Sequence, residues 1–87
     1  SCEITVGGRT LDVPREAAGV ARFTFADLCD RPLGPADYLA VAERFHTVMI
    51  DHVPLLTPER RDQAKRFSSL IDALYEVKTK LVMSAAA

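Results

Sequence analysis

The sequence predicts an α/β domain with an N-terminal β-hairpin, a small mixed sheet containing a strand–helix–strand (βαβ) unit, and two main helices packed on that sheet. Two observations carry this prediction. Alternating apolar and polar residues flank Gly7-Gly8, which is typical of a two-residue hairpin turn. Farther along, a capped amphipathic segment lies between short apolar runs that begin at Phe45 and Lys80. That arrangement is typical of a helix that connects parallel strands.

The hairpin is predicted over residues 3–13. Ile4 and Val6 share one face of its first strand, as Leu11 and Val13 share one face of its second, because side chains alternate along a strand. The proline that follows ends the second strand, since its nitrogen carries no hydrogen for the ladder. A lone hairpin is marginal in water, so we expect it to lie against the rest of the domain.

The segment after the hairpin is predicted to contain a loop, a strand and a short helix. Residues 15–19 have the composition of a loop, and residues 20–25 alternate as a third strand would. One helical turn over residues 26–29 is then expected before the chain bends at Pro32.

The first main helix is predicted to begin at Gly34-Pro35, because proline fits the first helical position. Asp37 lies in the first turn, where a carboxylate interacts favourably with the helix dipole. We expect the helix to end near Phe45. Its buried stripe, read from helical spacing, comprises Tyr38, Val41, Ala42 and Phe45.

The second main helix is predicted from about Pro58 to Glu76, with Thr57 as its N-cap. The strands on either side of it are expected to be parallel neighbours joined by a right-handed crossover. Residues at i, i+3, i+4 and i+7 spacing predict a buried stripe formed by Ala64, Phe67, Leu70, Ile71, Leu74 and Tyr75.

The length and the net charge of the chain exclude several classes of function. The 87 residues predict one domain, 1–87, near the lower end of what folds without disulfides or metals. A formal net charge of −1 gives no electrostatic basis for binding nucleic acid, and no apolar run approaches the ~20 residues of a membrane span. Cys2 and Cys29 are expected to be reduced, with a disulfide between them as the alternative.

Asp51 is the first candidate for chemistry. It follows an apolar run, and an acid at the end of a buried strand often orients a magnesium ion. A phosphate site also requires G-x-x-x-x-G-K-S/T, a motif that this sequence lacks. In addition, His52 stands where such enzymes commonly carry a second acid. A strand-end polar residue without a catalytic role is therefore the alternative for Asp51.

The other reactive side chains give weaker signals. His46 and His52 would lie ~20 Å apart along one strand, so we predict no metal site. Cys29 could act as a nucleophile only beside a base and an orienting group, and a small buried hydrophobe is the alternative.

Arg66 is the second candidate. It lies in the middle of the predicted helix, four residues after Asp62 and next to the apolar stripe. One interpretation is a surface ion pair with Asp62 or Asp72. The other is an arginine that reaches a phosphate or a neighbouring subunit.

Several blocks of the sequence, in this order, resemble the AFG1-like ATPase family. They are Phe25-Ala26-Asp27-Leu28-Cys29, Pro32-Leu33-Gly34-Pro35-Ala36-Asp37-Tyr38-Leu39, Phe45-His46-Thr47-Val48-Met49-Ile50, Val53-Pro54, Ala64-Lys65-Arg66-Phe67 and Leu70-Ile71-Asp72-Ala73-Leu74-Tyr75-Glu76, with a weaker match at Gly8-Arg9-Thr10-Leu11-Asp12-Val13. The resemblance implies a P-loop ATPase of the AAA+ type that uses ATP and Mg²⁺. The nucleotide-binding motifs of the family lie N-terminal to the segment matched here.

The resemblance also implies a role for the chain. We expect a C-terminal fragment of a larger ATPase that does not hydrolyse ATP by itself and holds no catalytic, nucleotide-binding or metal residues. It would contribute to the core, to subunit contacts or to client binding, and Arg66 and Asp72 match the helix motif of the family. A chain that stops directly after an apparent core strand fits this expectation.

Partners and location follow from the same resemblance. The expected partners are the rest of the parent chain, further copies in a homo-oligomer, and a division-ring or membrane-associated client. The expected location is the cytoplasm, peripheral to the inner membrane for a bacterial parent; mitochondrial members are linked to turnover of respiratory-chain proteins. The alternatives are a stand-alone interaction module and a small hydrolase that uses Cys29.

Overall fold

The structure, a computed structural model, describes residues 2–86. Six strands and three helices follow one another as β1 (Cys2–Val6), β2 (Arg9–Val13), β3 (Arg15–Ala17), β4 (Val20–Thr24), α1 (Phe25–Cys29), α2 (Pro35–Arg44), β5 (Thr47–Val53), α3 (Arg61–Val77) and β6 (Lys80–Ala85), with a 3-10 turn at Pro58–Arg60 before α3. This order confirms the predicted α/β class: a hairpin, a mixed sheet and helices packed on it.

The predicted hairpin is confirmed. β1 pairs antiparallel with β2, so that Ile4 lies opposite Leu11. Gly7 and Gly8 form the turn with φ values of 53° and 84°, a conformation that glycine adopts without a steric penalty. Leu11 and Val13 are buried, so the hairpin packs against the domain as expected.

A four-stranded sheet with the order β3-β4-β5-β6 forms the centre of the molecule. β3 is antiparallel to β4, whereas β4, β5 and β6 are parallel. Ile50 of β5 lies between Phe23 of β4 and Met83 of β6. The prediction that the strands before and after the second main helix are parallel neighbours is thus confirmed.

The loop predicted over residues 15–19 is wrong for its first half, because Arg15–Ala17 forms strand β3. All three residues of β3 are exposed, so no alternation of apolar and polar residues marks it in the sequence. Ala18 and Gly19 make the turn into β4 with φ values of 52° and 81°.

The core lies between the sheet and the helices. Its buried side chains come from β2, β4, α1, α2, β5 and α3. The predicted stripe of the first main helix is confirmed in full, since Tyr38, Val41, Ala42 and Phe45 are all buried. The hydroxyl of Tyr38 donates a 2.7 Å hydrogen bond to the carbonyl oxygen of Leu28, so burial leaves this polar group satisfied.

The stripe predicted for the second main helix is confirmed in part: Leu70 and Leu74 are buried, Ala64, Phe67 and Ile71 are half-buried, and the prediction is wrong for Tyr75. Tyr75 is 85% exposed, whereas Leu70, Ala73 and Leu74 are buried. These three residues have the i, i+3, i+4 spacing of one helix face. Tyr75 follows Leu74 on the side opposite to Ala73, about 140° around the helix axis from Leu70. It therefore points away from the core.

Thr57 and Pro58 lie at the N-cap and in the first turn of the helical region, as predicted, but the capping differs from the prediction. The side chain of Thr57 makes no capping hydrogen bond. Instead, its carbonyl oxygen accepts a 2.9 Å hydrogen bond from the amide of Arg60, which begins the 3-10 turn. The predicted helical region therefore exists, but its first turn is 3-10 rather than α-helical.

Strand β5 runs past Asp51, which was predicted to end it, and continues to Val53. His52 has a φ of 60°, and the pairing of β5 with β6 is irregular between Ile50 and Val53. Asp51 consequently lies inside a strand, next to a local irregularity, and not at the end of the strand where a loop begins.

Candidate functional site

Arg66 projects from the middle of α3 toward the end of α1. Its Nη1 atom donates a 3.2 Å hydrogen bond to the carbonyl oxygen of Cys29, the last residue of α1. A cation at the C-terminal end of a helix is favourable because the free carbonyl groups there carry partial negative charge. Arg66 therefore joins α3 to α1.

The surface ion pair predicted for Arg66 is absent from the part of the chain that the structure describes. The ion pairs found there are Arg9–Asp37 and Arg22–Asp51. Asp72 lies exposed on α3 and pairs with no cation among residues 2–86. Among residues 2–86, the guanidinium of Arg66 thus has a carbonyl partner and no carboxylate partner.

Two solvent-open grooves meet at Arg66. The first lies beside the 3-10 turn and is lined by residues 57–63, Asp30 and Arg66. The second, of about 380 Å³, lies between the start of α2 and the middle of α3. Its lining comprises Leu33, Gly34, Pro35, Tyr38, Asp62, Lys65, Arg66 and Ser69.

The first groove is crossed by a chain of side-chain hydrogen bonds. Nη1 of Arg60 donates to Oε1 of Gln63 at 2.8 Å, and Nε2 of Gln63 donates to Oδ1 of Asp30 at 2.9 Å. This chain links the start of α3 to the loop after α1. The lining of this groove includes three acidic and three basic side chains, so the groove has no single-sign field that would select an anion or a cation.

Asp51 links three strands. Its Oδ2 accepts a 2.6 Å hydrogen bond from Nε of Arg22 on β4, and its Oδ1 accepts a 3.1 Å hydrogen bond from the hydroxyl of Ser84 on β6. The hydrogen bond from Arg22 holds the pKa of Asp51 below its usual range. Both carboxylate oxygens are therefore engaged in holding the sheet together.

The surroundings of the two cysteines favour structural roles over chemical ones. Cys29 is buried, and burial raises the pKa of its thiol to about 12, against the opposing charge of Arg66. Such a thiol is a poor nucleophile, because the thiolate is the reactive form. Both cysteines are free, in agreement with the prediction of reduced thiols.

His46 holds the turn between β3 and β4 in place. Its Nε2 lies 3.0 Å from the carbonyl oxygen of Ala18, and its Nδ1 lies 2.8 Å from the hydroxyl of Thr47. A carbonyl oxygen only accepts, so Nε2 carries the proton and donates to Ala18. Within residues 2–86, no group of three or more His, Cys, Asp or Glu side chains is arranged to hold a metal ion.

The ion pair between Arg9 and Asp37, like the one between Arg22 and Asp51, was not predicted from the sequence. Asp37 is only 3% exposed, and its oxygens accept hydrogen bonds from Nη2 of Arg9 at 2.6 Å and from the amide of Gly34 at 2.8 Å. The spacing of Gly34 and Asp37 signals the local capping bond. Nothing in the sequence signals Arg9, which is 28 residues away.

The chain belongs to the AFG1-like ATPase family. The model of that family matches residues 1–87, the whole of the sequence. No solved structure matches this chain.

Three relatives show how the match is distributed. An uncharacterised protein of Schizosaccharomyces pombe is 42% identical over 83 residues, which cover 95% of this chain and 18% of the relative. Lactation elevated protein 1 homolog B of Danio rerio is 43% identical over 82 residues, covering 94% of this chain and 16% of the relative. Cell division protein ZapE of Escherichia coli is 38% identical over 76 residues, which cover 87% of this chain and 20% of the relative. The chain therefore spans a fifth or less of these relatives.

None of the helices in the described part of the chain combines the length and the apolar character needed to cross a membrane.

Proposed function

We propose that this chain is the C-terminal portion of an AFG1-like ATPase, in which ATP hydrolysis depends on nucleotide-binding motifs located N-terminal to it. One observation supports the proposal that the chain is part of a larger protein: the family match occupies all 87 residues, yet the matched stretch makes up only 16% to 20% of each of the three relatives. A stand-alone interaction module, the alternative from the sequence, is disfavoured by the same observation.

ATP and Mg²⁺ would bind to the rest of the parent protein. The residues present here do not fit them, because the sequence contains no G-x-x-x-x-G-K-S/T loop to surround a phosphate. Asp51, the one candidate magnesium ligand, has both carboxylate oxygens in hydrogen bonds to Arg22 and Ser84. We therefore assign no catalytic step to this portion.

The contribution of the chain is structural, through the core and through subunit contacts. The Arg66 region supports this assignment. Arg66 is anchored to α1 by one hydrogen bond and lines two open grooves, so its remaining N–H groups are available to a carboxylate or phosphate on another part of the assembly.

The test of the main proposal is ATP turnover by the full-length parent, by a variant that lacks these residues, and by residues 1–87 alone. We expect turnover in the full-length protein, a strong reduction in the shortened one, and none in residues 1–87. Hydrolysis by residues 1–87 would overturn the proposal.

Arg66 is tested separately in the full-length protein. Arg66→Ala should lower turnover or weaken assembly, measured by ATPase assay and by light scattering. Arg31→Ala, which truncates an exposed arginine that lines neither groove, is the matched control and should change neither. Wild-type turnover together with wild-type assembly in Arg66→Ala would remove Arg66 as a functional residue.

We further propose that the parent forms homo-oligomers and acts on a client protein. For a bacterial parent we propose a location in the cytoplasm, peripheral to the inner membrane and close to the division ring. The name of the Escherichia coli relative, cell division protein ZapE, supports the link to cell division. A fluorescent fusion of the full-length protein should then concentrate at midcell. A uniform distribution in dividing cells would contradict this location.

A further inference from the structure

The two edges of the four-stranded sheet differ in how they meet solvent. β3, at one edge, has three residues, two of them charged: Arg15 and Glu16. β6, at the other, has six residues, and only the first, Lys80, is charged. Short length and charge are the usual protection of an exposed edge against pairing with another strand. β3 has this protection, whereas β6 lacks it.

Apolar side chains surround the β6 edge. Val82 and Met83 are 44% and 52% exposed, and Leu55, in the segment after β5, is 84% exposed. Met83 and Leu55 line a groove of about 500 Å³ near the end of β6, together with Val53, Pro54, Ser84, Ala85 and Ala86. The edge is therefore flanked by a surface that is able to accept apolar side chains.

The backbone of β6 has a defined set of free groups. The amide of Lys80 donates a 3.0 Å hydrogen bond to the carbonyl oxygen of His46, so the backbone groups of Lys80 face β5. In a parallel strand the N–H and C=O groups of one residue point to the same side, and successive residues alternate. Val82 consequently faces β5 as Lys80 does, while Leu81 and Met83 direct their N–H and C=O groups away from the sheet.

We propose that an extended segment from the rest of the AFG1-like chain pairs with β6 and adds the next strand to this sheet. The proposal rests on the proposed function, which places these residues in a longer protein. The pairing would use the backbone groups of Leu81 and Met83, and a side chain of the added strand would fill the groove beside Leu55. A segment tethered in the same chain is present at high effective concentration, and at least 80% of each matched relative lies outside the matched region.

The test is amide hydrogen exchange in the unmodified full-length protein, resolved to single residues within β6. If the added strand is present, the amides of Leu81 and Met83 should exchange at least about a hundred-fold more slowly than in an unstructured peptide. The amide of Val82, bonded to β5, is protected in either case and serves as the reference within the same strand.

The outcomes separate the possible occupants. Protection of Leu81 and Met83 that persists after dilution to a concentration at which light scattering shows monomers supports a segment of the same chain. Protection that disappears on dilution would identify a second copy as the occupant and overturn the proposal. Free exchange at Leu81 and Met83 beside a protected Val82 would also overturn it, without affecting the ATPase test above.

Discussion

Arg9 and Asp37 join the N-terminal hairpin to the first main helix through a 2.6 Å hydrogen bond between Nη2 and Oδ1. The side chain of Asp37 is 4% exposed and that of Arg9 is 56% exposed, so the buried carboxylate depends on a partner that reaches in from the surface. The amide of Gly34 supplies its second hydrogen bond. A two-stranded hairpin is marginal alone, and this contact holds it against α2.

Truncation of the arginine should destabilise the domain. In Arg9→Ala the buried carboxylate of Asp37 keeps Gly34 as a donor but loses the guanidinium, and we expect the free energy of unfolding to fall by about 1–3 kcal/mol. Urea unfolding measures this loss. Arg22→Ala, which breaks the exposed pair with Asp51, is the matched control and should have a smaller effect. An equal loss in both variants would contradict a special role for the buried pair.

The same carboxylate predicts a pH dependence. Burial alone would raise the pKa of Asp37, but hydrogen bonds from the amide of Gly34 and from Arg9 outweigh it and hold the pKa below its usual range. Because the pKa is lower in the folded than in the unfolded chain, Asp37 stabilises the fold above the ordinary carboxyl range, and this stabilisation is lost as the pH falls through the lowered pKa.

The measurement is urea unfolding of the wild-type chain and Asp37→Asn over a series of acidic pH values. Asparagine keeps an oxygen for the amide of Gly34 and cannot ionise. The stability difference between the two proteins should therefore shrink as the pH falls. A difference that is constant with pH would show that ionisation of Asp37 does not contribute.

The two cysteines should differ in reactivity. Burial raises the pKa of Cys29 to about 12, whereas Cys2 is only half-buried. We expect a thiol reagent at mildly alkaline pH to modify Cys2 in the native protein and Cys29 only after unfolding in urea. Prompt modification of native Cys2→Ser, which retains only Cys29, would contradict the burial and reopen the hydrolase alternative.

Gly19 should tolerate substitution poorly. An added Cβ would lie 2.6 Å from Cδ2 of His46, and the φ of 81° disfavours any L side chain. We expect Gly19→Ala to cost about 1–3 kcal/mol for the backbone strain, plus the cost of displacing His46. Gly7→Ala is the control, since nothing lies within 4 Å of its added Cβ, and about 1–2 kcal/mol is expected.

Thermal unfolding of both glycine variants gives the comparison. The double variant Gly19→Ala with His46→Ala tests the steric contribution, because removal of the imidazole opens the space that the new methyl group needs. If Gly19→Ala lowered the unfolding temperature no more than Gly7→Ala did, the close packing of the turn against His46 would be wrong.

Elements with strong local signals could be predicted from the sequence. Gly7-Gly8 marked the hairpin turn, and helical spacing found the buried face of α2. The misses have physical reasons. Strand β3 is exposed throughout and so has no apolar alternation, and Tyr75 is an apolar residue just outside the buried face, a distinction that depends on the exact rotation of α3.

The candidate site was harder to predict than the fold. Arg66 was singled out, but its hydrogen bond to the carbonyl oxygen of Cys29 spans 37 residues. The link of Asp51 to Arg22 spans 29 residues. Side-chain partners so far apart are set by the packing of complete elements. Local sequence patterns carry no information about them.

The distance along the chain between Arg9 and Asp37 also has a kinetic consequence. They lie 28 residues apart, and all parallel pairs of the sheet are non-local as well. Non-local contacts form only after the entropy of loop closure has been overcome. The hairpin itself is a local element, whereas its docking contact between Arg9 and Asp37 is non-local, and we expect that contact to form late. Loss of the docking contact should then accelerate unfolding more than it slows folding, so that the hairpin becomes the first part of the domain to detach.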